Sequence, residues 1–333
     1  MTLAVFPCAL YTALSSRKKL KGARSMKTVF LGSTTLQVPA LALGCMRMKE
    51  LDETQSVRLL ETCLELGVNY FDHADIYGGP EDPCEVRFAK AFQKTGVSRD
   101  RIILQSKLGI VPGKMYDHSR DYILSETDLI LRRLNTDYLD VLLLHRPDAL
   151  MEPDEVAEAF DRLEQSGKVR FFGVSNHKTS QIQLLKKAVR QPLVANQLQL
   201  SIPFSSMISS GLEANMATDG AVDRDDSILD YCRLHDITIQ AWSPYQAGRR
   251  KGPFIDSPEY PELNRVLEEL ACKYGSTKTG IAAAWIFRHP ARMQVIAGSM
   301  REDRIREIAQ AADIEITREE WYRLYLAAGH ILP

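Results

Sequence analysis

From Leu41 onward, short aliphatic and β-branched runs alternate with longer stretches whose apolar residues recur every three or four positions. That is the pattern of β-α units around a parallel sheet. Eight runs predict strands: LALGCM (41–46), NYFDH (69–73), RIILQSK (101–107), YLDVLLLH (138–145), VRFFGVS (169–175), LVANQLQL (193–200), ITIQAWS (237–243) and MQVIAGS (293–299). Several are continuously apolar, as suits strands covered on both faces. The stretches between them show helical faces such as Leu59, Cys63 and Leu66, or Ile123, Leu129, Leu131 and Leu134. Gly67, Gly96 and Gly167 stand just past predicted helix ends, where a residue tolerating positive φ is favoured. Glu152-Pro153-Asp154 offers a proline and acids for a first helical turn.

Eight such units in about 270 residues match one (β/α)8 TIM barrel, an open doubly wound sheet being the alternative. Ahead of the first unit, KTVFLGSTTLQVPAL alternates around a Gly-Ser-Thr turn and predicts an N-terminal β-hairpin. Two helices after the seventh strand (261–274 and 278–288) and one at the C-terminus (317–330) exceed the minimal barrel and read as additions, not as a second domain. The stretch 205–226, rich in Ser, Gly, Asn and Asp, reads as a long mobile loop placed to cap a site. Residues 26–333 are thus expected to form one domain. Residues 1–25 contain no acid and carry Arg17, Lys18, Lys19, Lys21 and Arg24 after their apolar stretch, the reverse of a secretory signal. Acid-poor composition also fits an organellar leader, but the preferred reading is a disordered N-terminal extension.

Composition narrows the partners. Of 333 residues, 45% are hydrophobic and 26% charged, the balance of a soluble globular chain. Lys and Arg total 42 against 43 Asp and Glu, so no global field attracts nucleic acid or an anionic membrane. No apolar run reaches the ~18 residues of a transmembrane helix. The six cysteines are scattered, without metal or redox spacing, and read as reduced thiols of a cytoplasmic protein. A small-molecule substrate, no metal, and a monomer or weak oligomer complete this expectation.

In a barrel the reacting face is the carboxyl end of the strands, so an ionisable residue closing an apolar strand carries weight. Asp72 closes the second predicted strand with Tyr77 five residues on, Lys107 closes the third and His145 the fourth. Taken with FDHADIYGG, SKLG, LLHRPD, GKVRFFGVSN, NQLQLS, AWSP and IAGSMREDRIRE, the chain resembles the aldo-keto reductase family from Lys27 to its C-terminus. The resemblance implies NADPH-dependent reduction of small aldehydes or ketones by a tetrad of Asp72, Tyr77, Lys107 and His145. In this scheme Tyr77 gives a proton to the forming alkoxide, Lys107 eases its loss, Asp72 holds Lys107, and His145 orients the carbonyl. Two rivals stand beside it: a Schiff-base aldolase with Lys107 as nucleophile, and a non-catalytic NADPH-binding regulatory subunit of the same fold.

No G-x-G-x-x-G follows any strand, which leaves the loops after strands seven and eight as the anion site. The resemblance implies that Ser175, Asn176 and Gln197 bind the nicotinamide carboxamide and that Trp242 stacks on its ring. Ser243, Ser299 and Arg304 would serve phosphate and Glu307 the adenine, with NADPH/NADP+ favoured over NADH because a guanidinium fork suits the 2′-phosphate. Gly298 and Ile308 depart from the commonest family pattern, which has lysine and asparagine there. Arg249-Arg250-Lys251 reads as a solvated charge cluster in preference to a pyrophosphate clamp. Met46 and Met48 are candidates to line an apolar substrate pocket, and His73 and Arg146 to be polar neighbours of the tetrad.

Overall fold

The hairpin comes first, β1 (Thr28–Phe30) pairing antiparallel with β2 (Gln37–Pro39) in a computed structural model that describes residues 26–248 and 251–332. The expectation for residues 1–25 lies outside the described residues. Next come β3 (Leu41–Gly44), α1 (Glu53–Glu65), β4 (Tyr70–Asp72), α2 (Cys84–Lys94) and β5 (Ile103–Leu108). A two-residue ribbon, β6 (Ile110–Val111) and β7 (Met115–Tyr116), precedes α3 (Arg120–Leu134). The chain continues through β8 (Leu139–Leu144), α4 (Pro153–Gln165), β9 (Val169–Ser175), α5 (Thr179–Leu185) and β10 (Leu193–Gln199). After α6 (Ser206–Leu212) and α7 (Ile228–Leu234) come β11 (Thr238–Trp242), α8 (Pro261–Tyr274), α9 (Lys278–Phe287), β12 (Gln294–Ala297), α10 (Glu302–Ala311) and α11 (Arg318–Ala327).

Strands β3, β4, β5, β8, β9, β10, β11 and β12 pair in parallel and close into a barrel, with helices between consecutive strands. The (β/α)8 architecture and its hairpin are therefore as expected. Aliphatic residues facing outward from the strands meet the helices and form the core; Leu104, Leu142 and Ile239 are all buried. Local signals place the helix ends. Gly67, Gly96 and Gly167 adopt φ of 77°, 66° and 72° past α1, α2 and α4, and Pro153 opens α4 with Asp154 and Glu155 in its first turn. The added helix α11 locks onto α9 through Trp285 and Trp321, whose rings stack at 4.7 Å and whose indole N–H groups donate to each other's backbone carbonyls.

Two expectations need correction. In α3 the buried face is Ile123, Thr127, Ile130, Leu131 and Leu134, while Leu129 is 38% exposed. Thr127 is polar yet tolerates burial, because its hydroxyl donates to the Ile123 carbonyl at 2.7 Å. The stretch 205–226 is not a structureless loop, for α6 and a short 3-10 turn lie within it. Its small polar residues mask two anchors: Met207 and Ile208 are buried, and Ser209 accepts a hydrogen bond from the Tyr325 hydroxyl of α11.

Candidate active site

Period-two alternation aims every second strand residue into the barrel. On β5 that rule sends Gln105 and Lys107 inward and Ser106 outward, where its hydroxyl meets Glu85 of α2. On β4 it sends Tyr70 and Asp72 inward. The Lys107 ammonium, fully buried, donates to Asp72 Oδ1 at 2.6 Å and to the His73 carbonyl at 2.7 Å. Gln105 and Gln197 also donate to Asp72 Oδ1, at 2.6 and 3.0 Å. Burial alone pulls the Lys107 pKa down, but Asp72 and the nearby Tyr77 hydroxyl more than offset it, and the net direction is upward. The group is an ammonium.

Tyr77 follows β4 on a turn whose reversal depends on Gly78: at φ 87° a Cβ there would sit 2.2 Å from the Asp82 carbonyl oxygen. The turn brings the phenol ring to 5.1 Å from Lys107 Nζ and sets it edge-on to His145 at 6.1 Å. Burial pushes the Tyr77 pKa above that of a free phenol, and Lys107, by charge and hydrogen bond, opposes the rise. His145 follows β8 directly, with its backbone N–H on the Leu108 carbonyl at 2.8 Å. Burial, then the Lys107 and Arg146 cations, hold its pKa well below the imidazole range, so the ring is neutral; its Nδ1 is buried without a partner. All four residues singled out in the sequence meet at the carboxyl end of the barrel.

The expected cofactor residues divide into two groups. Ser175 closes β9 beside Gln197 of β10, and Asn176 comes next in the chain. Asn176, in the left-handed region at φ 58°, donates to Ser175 Oγ at 2.7 Å and accepts from Trp242 Nε1 at 3.2 Å. Ser175 donates in turn to the Gln197 carbonyl at 3.0 Å. Three strand ends are thus held in one chain of bonds at the mouth. The second group is open. Arg304 is exposed on α10, and among the described residues its guanidinium makes no hydrogen bond or ion pair and Ser299 Oγ bonds only the Arg301 backbone N–H, at 3.3 Å. Glu307 accepts from Thr277 at 3.1 Å. Ser243 takes a left-handed φ of 51°. Together these supply hydroxyls, one uncommitted guanidinium and a part-buried indole, a donor set that fits a dinucleotide phosphate and an aromatic ring.

The minor candidates stand in different settings. Met48 is buried in the core and Met46 is 49% exposed. The His73 ring packs edge-on against Phe88 at 4.6 Å, away from polar partners, and contributes only its carbonyl. Ile308 is fully buried, so core packing occupies the place of a polar side chain. Arg249 and Arg250 lie outside the described residues. What the sequence pattern does not reveal is a ladder of glutamines filling the barrel. Tyr70 donates to Gln105 at 2.7 Å, Gln240 to Gln294 at 2.9 Å, and Gln294 to the Pro39 carbonyl of the hairpin at 2.7 Å. Its only signal is a lone glutamine inside each of RIILQSK, ITIQAWS and MQVIAGS. Arg47, equally silent in the sequence, reaches across from the end of β3 to the Gly298 carbonyl at 3.2 Å and puts a second guanidinium beside Ser299.

The family model for the aldo/keto reductase family matches residues 40–325. The chain belongs to the aldo/keto reductase family. It is 37% identical over 287 residues to oxidoreductase YdhF of Escherichia coli, covering 84% of this chain and 89% of that one. It is 33% identical to a 6-dehydroglucose reductase of Novosphingobium aromaticivorans, covering 91% and 96%. Among solved structures, a thermostable aldo-keto reductase crystallised with the inhibitor epalrestat superposes with a TM-score of 0.71 at 27% identity, covering 91% of this chain and 100% of that one. The family match and the oxidoreductase relatives together support carbonyl reduction by this aldo/keto reductase.

Proposed function

We propose that the chain is an NADPH-dependent reductase of aldehydes and ketones, with residues 26–333 acting as one domain and Tyr77 as the proton donor. The observation that carries this reading is the buried ammonium of Lys107 held by Asp72 beside the Tyr77 phenol. When bound, the nicotinamide supplies the hydride. The chain's own part is to place the carbonyl and to deliver the proton. Neutral His145 donates a hydrogen bond to the carbonyl oxygen and orients it toward Tyr77. As charge grows on that oxygen, Tyr77 Oη releases its proton, and the phenolate left behind faces Lys107. At an effective dielectric near 20 such a contact is worth about 4 kcal/mol once the charge has fully developed.

Asn176 and Gln197 would hold the carboxamide, with Ser175 fixing Asn176 and Trp242 against the ring. Ser243, Ser299, Arg304 and Arg47 would hold phosphate, and Glu307 the adenine. Preference for the 2′-phosphate rests on Arg304. The amine of Lys107 is charged and ion-paired, which opposes its use as a Schiff-base nucleophile. The polar mouth and the kinship to a 6-dehydroglucose reductase support small polar carbonyls, aldehydes derived from sugars among them. No helix among the described residues is long and apolar enough to cross a membrane. The described cysteines are free thiols, which supports a cytoplasmic setting. The test is oxidation of NADPH and, separately, NADH against a panel of activated and sugar-derived aldehydes. Turnover with NADPH at a lower KM than with NADH is expected; cofactor binding without turnover of any carbonyl would favour the regulatory-subunit reading.

A further inference from the structure

Between Asp72 and Tyr77 lies a carboxyl that the proposed reaction does not use. Asp75 is largely withdrawn from solvent, and its Oδ1 is buried with no hydrogen-bond partner. Its backbone is pinned on both sides: the N–H donates to the Lys107 carbonyl at 2.9 Å, and its carbonyl accepts from Arg133 at 3.3 Å. The Arg133 guanidinium is already committed to two other acids, Glu85 at 3.1 Å and Glu126 at 2.6 Å. Glu85 is fully buried and also takes the hydroxyl of Ser106, the neighbour of Lys107. The titratable groups facing Asp75 are therefore Glu85 from α2 and Tyr122, Glu126 and Arg133 from α3.

Three carboxyls share one cation in a pocket shielded from water. Ionising all three leaves two uncompensated charges where desolvation is costly, so the pocket holds a proton. Asp75 has the weakest claim on the guanidinium, since only its backbone is bonded to it.

We propose that Asp75 is a positioning residue that works in its protonated form, keeping the 72–77 turn seated so that the Tyr77 phenol stays against Lys107, and that its ionisation unseats the turn and ends turnover on the alkaline side. The inference rests on Tyr77 being the acid. Burial first, then Glu126 and Glu85, raise the Asp75 pKa to about 8, and burial raises Glu85 to about 7. The Tyr77 phenol, raised above the ordinary phenol range, titrates later, so the two alkaline limbs separate.

The test is the pH profile of kcat for carbonyl reduction by the full chain, wild type beside D75N and E126Q. For the wild type, kcat falls about tenfold between pH 7 and pH 9, as a single group titrating near 8 requires. D75N, which cannot ionise, falls less than about twofold over that range. E126Q removes a like charge, so its limb moves to lower pH. Infrared spectra add a readout independent of turnover: the carbonyl stretch of protonated carboxylic acid is present at neutral pH and weakened in D75N, the remainder belonging to Glu85. A D75N limb coincident with the wild-type limb, or an unchanged infrared band, overturns the proposal. Retained turnover in Y77F would overturn the underlying reading instead, and the two failures are distinct.

Discussion

Behind Lys107, strands β4, β5, β10, β11 and β12 send polar side chains inward, and Asp72, Gln105, Gln197, Gln240 and Gln294 are buried and bonded to one another. Past the end of β12 the picture reverses. Ser299 is partly exposed, Arg304 stands in solvent, and the Arg304 guanidinium has no hydrogen-bond or ion-pair partner among the described residues. The difference follows from what each region is proposed to do. A group that must stabilise charge as it appears has no time to reorganise, so its dipoles are fixed in advance, at a cost met during folding. A region that grips a ready-made phosphate can order on contact, because the ligand brings the charge with it. A rigid rear and an open front are the expected division of labour.

The strongest way to break the comparison is to remove a charge from the rear. Lys107→Met leaves the Asp72 carboxylate buried without its cation, a loss of ~3–5 kcal/mol of stability. Thermal melting should show a clear drop in Tm together with loss of turnover. An unchanged Tm would mean that the rear is not preassembled in the way described. A smaller effect comes from Gln240→Leu, which leaves Gln294 Oε1 without its donor and takes one of the partners of Gln105 and Gln197, which keep Asp72. Each unsatisfied buried group costs ~1–3 kcal/mol. Denaturant unfolding should register the loss, with kcat reduced less than stability because Asp72 and Lys107 keep each other.

At the front the expected effects concern binding, not folding. Arg304→Ala and Arg47→Ala should each weaken NADPH binding by about tenfold, the worth of one charge-assisted contact, and leave Tm unchanged, and Arg304→Ala should leave NADH binding unchanged as well. Fluorescence titration with both cofactors reads this directly. Added salt should shrink the NADPH difference at these exposed sites and leave the stability cost of Lys107→Met nearly untouched. Equal weakening of NADPH and NADH would remove the 2′-phosphate from the role assigned to Arg304.

What can be read from the residue pattern is whatever is encoded locally. The eight barrel strands and the glycines past α1, α2 and α4 show as runs and breaks, and the ionisable residues Asp72, Lys107 and His145 stand out because each closes an apolar strand. The glutamine ladder stays hidden because one polar residue in an apolar strand looks like noise until several strands place theirs at one height. The pocket around Asp75 is hidden for a related reason, since Glu85, Glu126 and Arg133 sit on two helices and read as ordinary solvated faces. Leu129 is misplaced by periodicity alone because Thr127, with its hydroxyl satisfied by its own helix, takes the inward position. Tertiary partners, not local preference, decide each of these.

The central claim is that Tyr77 is the acid. It is tested most directly by Tyr77→Phe, measuring single-turnover NADPH oxidation with a reactive aldehyde beside the NADPH dissociation constant of the same protein. The expected result is a rate lowered by ~10²–10⁴-fold, the usual contribution of a positioned general acid, with the dissociation constant unchanged. A Tyr77→Phe variant that turns over at the wild-type rate would contradict it.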